Sequence, residues 1–247
     1  MAQELRLATF NIHHGVGADG VPDLERVASV IEQSGAQVAC LQEVDRSWGA
    51  RSGFRDQAGW LAGRLRMHAE YGTNVDIDPQ VPGAPRRQYG LATLSAFPVR
   101  HSIHALLVHP LGGEQRGLLD VSIDVDGHVL QVLNTHLEYA SQVERLEQAA
   151  TIRDAVMVGP RPVVLLGDLN AAPSSPEVAT ITKVLDDAWI LAGTGNGFTF
   201  DAVSPHVRID YVLVSDGVAV HSAHVPPTYA SDHRPVVVDV VLTTVDA

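Results

Sequence analysis

Apolar residues recur along this chain in short runs that end abruptly on polar side chains, and that punctuation predicts its elements. Residues 5–11 alternate and then stop at Asn11-Ile12-His13-His14-Gly15, the pattern of a strand that delivers side chains to a loop. Leu24, Val27, Val30 and Ile31 fall on one helical face between Asp23, a suitable N-cap, and Gly35, placed as a C-terminal glycine. Residues 38–42 are a short apolar run, read as a strand buried on both faces that stops at Glu43. A second helix over 57–66 turns Ala58, Leu61, Ala62 and Leu65 inward, and residues 72–88, rich in turn formers and without periodicity, read as loop.

Strands are then predicted over 91–97, 103–108, 118–124 and 129–135, the last two joined by the turn Asp126-Gly127. Ser141 and Glu144 have capping-box spacing and open a helix that runs to Val158, with Leu146, Ala149, Ile152, Arg153 and Val156 on one face. A buried strand over 162–166 ends in Gly167-Asp168-Leu169-Asn170, and Ser175-Pro176 marks a further helix start. Strands return over 209–215, 218–225 and 236–243. No repeat of fixed period, linker or low-complexity tract interrupts the chain, so one mixed α/β domain is expected over 1–247.

Composition narrows the class. The apolar fraction is 45%, yet the longest apolar runs fall far short of the roughly 20 residues a membrane-spanning helix needs. Residues 1–6 show no basic segment followed by an apolar one, so no signal peptide is expected and a cytoplasmic location follows as the default. Cys40 is the only cysteine, which excludes an internal disulfide and any multi-cysteine zinc site, and its apolar neighbours make it a core thiol. The net charge of −12 speaks against a protein that grips long nucleic acid by its phosphates.

The candidate chemistry lies where the polar groups fall. Asn11, Glu43, His136, Asp168, Asn170 and Asp210 all sit at or near the ends of apolar strands, from which they can converge on one site. Asp168 and Asn170 are two apart, which in extended chain puts both on the same side with Leu169 opposite. One carboxylate to orient or deprotonate water and one amide to donate to developing charge is a pair suited to phosphoester hydrolysis. Glu43 follows a buried run, an expensive place for a carboxylate unless a cation relieves it, and magnesium suits oxygen ligands of this kind, including one from Asn11. Asp232 and His233 are adjacent, so in a strand they point opposite ways; Asp210 is then the better partner for His233, and Asp232 belongs to the metal side. Read alone, Gly167 to Asn170 also fits a turn, Glu43 a surface acid, Asn11 a turn cap and His136 a structural histidine. The histidine pairs His13-His14, His101 with His104, and His221 with His224 lack helical spacing beside a glutamate, which disfavours zinc.

Taken in order, Thr9-Phe10-Asn11-Ile12, Leu41-Gln42-Glu43-Val44, Asn134-Thr135-His136-Leu137, Gly167-Asp168-Leu169-Asn170, Arg208-Ile209-Asp210-Tyr211 and Ser231-Asp232-His233 resemble the endonuclease/exonuclease/phosphatase superfamily. The segments Tyr89-Gly90-Leu91-Ala92-Thr93-Leu94-Ser95 and Gln115-Arg116-Gly117-Leu118 are similar to those of its bacterial members. The resemblance implies a four-layer α/β sandwich, two packed, mainly antiparallel β-sheets flanked by helices, and metal-dependent attack of water on phosphorus. It implies that Asn11 and Glu43, with Asp232, hold Mg²⁺ or Mn²⁺. Asp168 would position the water with help from Asn170, Asp210 and His233 would form an acid-imidazole pair, and His136 would stabilise developing charge. Arg116 and Tyr89 would meet the substrate. Abasic-site nucleases of the superfamily carry an acid just after the first asparagine motif, where this chain has His13.

The complete residue set on an acidic body favours a phosphodiesterase acting on a small molecule or lipid headgroup. The alternative is a nuclease on short or single-stranded nucleic acid, with Arg46, Arg51, Arg55, Arg86 and Arg87 as a local basic rim. A noncatalytic scaffold is disfavoured, because a degenerate site should have lost one of Glu43, Asp168, Asn170 or His233. The sequence gives no indication of oligomeric state.

Overall fold

Strand period decides how the layers of this molecule form. In the computed structural model, which describes residues 3–243, alternate side chains of the apolar strands enter different cores. In β1 (Gln3–Asn11), Leu5 and Leu7 face one core while Ala8 and Phe10 face another. In β8 (Val163–Asp168), Val164 and Leu166 share the core of Leu5 and Leu7, whereas Val163 and Leu165 turn to a third. A continuous apolar run is therefore required of each central strand, because both of its faces are covered.

The first core lies between two six-stranded sheets. One sheet runs in the order β11 (Val218–His224), β12 (Val236–Leu242), β1, β2 (Val38–Arg46), β4 (Arg87–Ser95), β3 (His68–Ile77). The other runs β5 (Val99–Leu106), β6 (Gly117–Val125), β7 (His128–His136), β8, β10 (Asp210–Val214), β9 (Asp186–Asp187). Helices α1 (Leu24–Ser34) and α2 (Gln57–Leu65) cover the outer face of the first sheet, burying Val27, Ile31 and Leu61 against Phe10 and Leu41. Helices α3 (Gln142–Val158) and α4 (Pro176–Ile181) cover the second, burying Ile152, Val156 and Ile181 near Leu165 and Leu213. Each such large side chain contributes about 1.5–3 kcal/mol. The expected four-layer sandwich is the observed fold, completed by the short helix α5 (Ala188–Ala192).

Both sheets are antiparallel except for one central parallel pair each, β1 with β2 and β7 with β8. The helices α1 and α3 make these two crossovers, and each parallel pair is flanked by antiparallel neighbours, β12 and β4 in one sheet, β6 and β10 in the other. The two halves thus share a connectivity that no sequence period reveals. Parallel strands joined by a crossover finish at the same edge, so β1 and β2 bring Asn11 and Glu43 together, and β7 and β8 bring His136 and Asp168 together.

A polar clamp ties these edges across the inter-sheet core. Gln42 Nε2 donates to Asn134 Oδ1 (2.8 Å), and Asn134 Nδ2 donates to the carbonyls of Ala92 (2.9 Å) and Leu41 (3.2 Å), all without solvent exposure. Each bond contributes about 0.5–1.5 kcal/mol, and together they fix β2 and β4 of one sheet against β7 of the other.

Three sequence expectations need correction. Residues 72–77 belong to β3 rather than to a loop; this is an edge strand paired only with β4, exposed at Asp76 and Ile77 and half-buried at Thr73 and Val75, and it lacks the apolar run of a buried strand. β2 does not stop at Glu43 but continues to Arg46 through a register shift between Leu41 and Val44, where Glu43 takes a positive φ of 57°. The buried face of α3 includes Glu144 and Gln148, whose side chains accept from the backbone N–H of Leu111 (2.6 Å) and Glu138 (2.9 Å). Met1, Ala2 and residues 244–247, included in the single-domain expectation, lie outside the described residues.

Candidate active site

At the shared edge of the two parallel pairs lies a cleft of about 340 Å³, within the usual range for small-ligand sites. Glu43 and Tyr89 from the first sheet line it, with Asp232 and His233 from the loop before β12. Arg116, His136, Asp168 and Asn170 line it from the second sheet. Asn11 and Asp210 stand behind this wall, each hydrogen-bonded to residues that form it.

Asp168 is the hub. Its Oδ1 accepts from the Asn170 N–H at 2.9 Å; its Oδ2 accepts from Asn11 Nδ2 at 3.1 Å and lies 3.4 Å from His136 Nε2 and 3.7 Å from His233 Nε2. The Asp168–Asn170 relation is not the extended one expected from their spacing. Asn170 has a φ of 47°, so the chain turns after β8 and the backbone N–H folds back onto the aspartate. Leu169 is still fully buried, as expected. The same Asn11 amide nitrogen also donates to Glu43 Oε1 at 3.1 Å, while its oxygen accepts from the His13 N–H at 3.0 Å. Asn11 therefore turns its nitrogen, not its oxygen, toward Glu43.

His233 Nδ1 lies 2.9 Å from Asp210 Oδ2, with both side chains buried. Asp210 in turn opens β10, and its backbone N–H and that of the preceding Ile209 donate to Thr199 Oγ1. The motif neighbours of Asp210 brace the loop: Arg208 makes a buried two-pronged ion pair with Asp187 (2.7 and 3.1 Å), and the Tyr211 hydroxyl donates to the Ala171 carbonyl (2.7 Å). His136 Nδ1 faces Arg116 Nη1 at 3.1 Å. A guanidinium has no acceptor, so Nδ1 accepts and the ring proton sits on Nε2, toward the cleft. That N–H and the Asn170 amide nitrogen, 3.0 Å apart, are two donors that one oxygen between them would satisfy.

Burial and charge act against each other across the site. Burial drives the Asp168 carboxyl above its ordinary range, and the neighbouring Asp210 adds to this against the opposing His233. Burial opposes a charged His233, but Asp210 and Asp168 outweigh it and raise the imidazole above its usual value. His136, buried and beside the Arg116 cation, is held well below it and stays neutral. Burial also opposes ionisation of Glu43, yet the nearby His14 and Asn11 prevail and hold it low. The result is an anionic Glu43 in reach of a cation and an Asp168 basic enough to accept a proton.

The histidines set aside in the sequence reading reach this cleft. His13 and His14 form a one-turn 3-10 segment after β1, both at φ 44°, a conformation that costs about 1–3 kcal/mol for a non-glycine residue. Their Nδ1 atoms are buried without hydrogen-bond partners, 3.7 Å from Asp232 Oδ1 and 3.8 Å from Glu43 Oε2, respectively. Ligand atoms of His13, His14 and Glu43 lie within 4.8 Å of one another, as do those of Asp168, Asp210 and His233. The second group is joined by the Asp210–His233 bond, with Asp210 Oδ1 left over, whereas in the first both histidine Nδ1 atoms lack a hydrogen-bond partner. The donor set at Glu43 therefore fits a divalent ion. Arg51, one of the expected rim arginines, also lines the cleft, with Glu114, Tyr139 and Phe200, which no local pattern in the sequence marks.

Comparison with known proteins agrees with this architecture. A model of the Endonuclease/Exonuclease/phosphatase family matches residues 8–233. The chain is 31% identical over 159 residues to Protein cwh43 of Schizosaccharomyces pombe; the match covers 64% of this chain but only 15% of that protein's length. An endonuclease/exonuclease/phosphatase from Beutenbergia cavernae has a similar structure, with a TM-score of 0.85 at 28% identity, covering 98% of this chain and 72% of that one. The Bacteroides thetaiotaomicron mannosyl-6-phosphatase Bt3783 shares the fold, with a TM-score of 0.75 at 17% identity over 96% of this chain and 100% of that one. By its matched residues and by its fold, this chain belongs to the Endonuclease/Exonuclease/phosphatase family, whose members are hydrolases acting on phosphoester bonds.

Proposed function

We propose that this protein is a phosphodiesterase that directs water at the phosphorus of a small-molecule or lipid-headgroup diester. The observation that carries this reading is the convergence on Asp168, where Asn11 links it to Glu43 and His233 faces the same carboxylate oxygen. Asp168 orients the attacking water and takes its proton, a role its raised pKa suits. Asn170 and neutral His136 donate to an oxygen of the phosphoryl group, and Arg116, paired with Glu114, holds the His136 ring from behind. Asp210 holds His233 by Nδ1, so that Nε2 points into the cleft and the imidazolium stabilises the developing charge. Mg²⁺ or Mn²⁺, which would be held by Glu43 and Asp232 with Asn11 orienting Glu43, supplies polarisation of the phosphoryl oxygen when bound. Tyr89 forms part of the substrate wall, packed against Trp48 and beneath Arg51.

The rim arginines support a small substrate over a nucleic acid. Arg46 pairs with Asp56, Arg51 with Asp45, and Arg86 with Asp76 and Asp78, so most of the expected basic rim is neutralised within the chain. The test is a panel of aryl phosphodiester, aryl phosphomonoester, phospholipid and oligonucleotide, assayed with Mn²⁺ or Mg²⁺, with chelator, and with His233→Ala. Diester cleavage that chelator abolishes and His233→Ala lowers by roughly 10² or more is expected. Failure to cleave any phosphoester with metal bound refutes the proposal; preferential, salt-sensitive cleavage of the oligonucleotide replaces it with the nuclease reading.

A further inference from the structure

Two adjacent histidines in the left-handed backbone region are unusual, and here the conformation has a consequence. It turns both rings to the same side of the chain, with their centroids 4.5 Å apart, beside Glu43 and Asp232. The backbone is held in that shape from below. Gln57, itself buried, donates from Nε2 to the His14 carbonyl at 2.7 Å and accepts at Oε1 from the Asp45 N–H at 2.9 Å, which anchors the histidine turn to β2. The turn closes on itself through the Gly15 N–H to the Ile12 carbonyl at 2.8 Å. A strained segment that is clamped in place, with two buried imidazole nitrogens left without partners, is organised around something those nitrogens bind.

We propose that His13 and His14 join Glu43 as direct ligands of the divalent ion, making a mixed imidazole and carboxylate site that takes a first-row transition ion such as Mn²⁺, Co²⁺ or Zn²⁺ in preference to Mg²⁺. Magnesium favours an all-oxygen, heavily hydrated shell, whereas imidazole nitrogen suits the softer ions. The ligand atoms of the three residues already lie within 4.8 Å of one another, a separation that small side-chain rotations close around an ion. Asp232 stands next to His13 as a further oxygen donor. Asn11 holds Glu43 through its amide nitrogen, as a partner that orients a ligand rather than as a ligand itself.

The proposal rests on the reading of this cleft as a metal-dependent hydrolase, and its test reads ligation without turnover. Protein loaded with Co²⁺ is examined by proton NMR in water, where the N–H of a ligating imidazole gives an exchangeable, strongly shifted resonance. Two such resonances are expected, one lost in His13→Asn and the other in His14→Asn. Asparagine tolerates the left-handed conformation at both positions, so the turn is preserved, and circular dichroism checks that each variant is folded. Competition dialysis with metal analysis should show Mn²⁺ retained against roughly 10²-fold excess Mg²⁺ by the native protein, and that preference lost in the double variant. Absence of the shifted imidazole signals, or their persistence in both variants, overturns the proposal. So does Mg²⁺ displacing Mn²⁺ at equal concentration. Hydrolysis supported by Mg²⁺ without imidazole signals removes this ligation while leaving the hydrolase reading intact. The signals without hydrolysis of any phosphoester do the reverse.

Discussion

Asp210 does not line the cleft, yet it sets the charge of a side chain that does. Burial alone would strip His233 of its proton, and the raised imidazole depends first on the Asp210 carboxylate and then on Asp168. Asp210→Asn keeps the shape and removes the charge. The His233 pKa should fall toward or below its ordinary value, the Asp168 pKa should fall with it as the repulsion from Asp210 disappears, and turnover should drop by at least roughly 10². An NMR titration of His233 alongside the rate measurement checks both; an unshifted imidazole would remove the electrostatic account of the pair. At this scale the sequence was informative wherever a polar residue interrupted an apolar strand, as at Glu43 and Asp168. It offered His14 only in a histidine pair disfavoured for zinc, and Arg51 only as a rim arginine. Their relevance depends on a left-handed turn in one case and, in the other, on a loop held by the ion pair of Arg51 to the buried Asp45, neither of which has a local pattern.

Among the elements, the two parallel strand pairs matter most, because each brings two strand ends to the same edge. Asn134 and Gln42 hold those pairs together across the core. Replacing Asn134 by Ala leaves the Gln42 amide and two backbone carbonyls short of a partner, at a cost of about 1–3 kcal/mol or more. For a chain of this size that is a fall of roughly 2–4 °C in Tm for each kcal/mol. Thermal melts should show it, and turnover should fall although Asn134 touches no substrate; full activity and unchanged Tm would mean that the clamp is dispensable. The run of central strands was legible because both faces are buried and most of their inner residues are apolar. The edge strand β3 was not, since pairing with β4 rather than burial makes it a strand. The bulge at Glu43 was equally hidden. A period-two pattern read by eye ends where the register shifts, although the strand itself goes on.

For the whole molecule, the duplicated connectivity explains why residues as far apart in the chain as Asn11 and Asp168 share one hydrogen bond. Each sheet brings one crossover pair to the common edge, and the six short motifs fall there in order. The acidic body does not conflict with an anionic substrate, because the His233 imidazolium lies in the cleft and Glu43 and Asp232 would face a bound cation. Among the described residues no helix is long and apolar enough to cross a membrane. In the proposed reaction water, positioned by Asp168, attacks phosphorus in this cleft. Turnover of bis(para-nitrophenyl) phosphate in oxygen-18 water, followed by mass spectrometry of both products, tests it most directly. The account predicts the label in para-nitrophenyl phosphate, none in the released phenol, and loss of labelled product in Asp168→Asn. Label in the phenol, or undiminished labelled product from the variant, would contradict it.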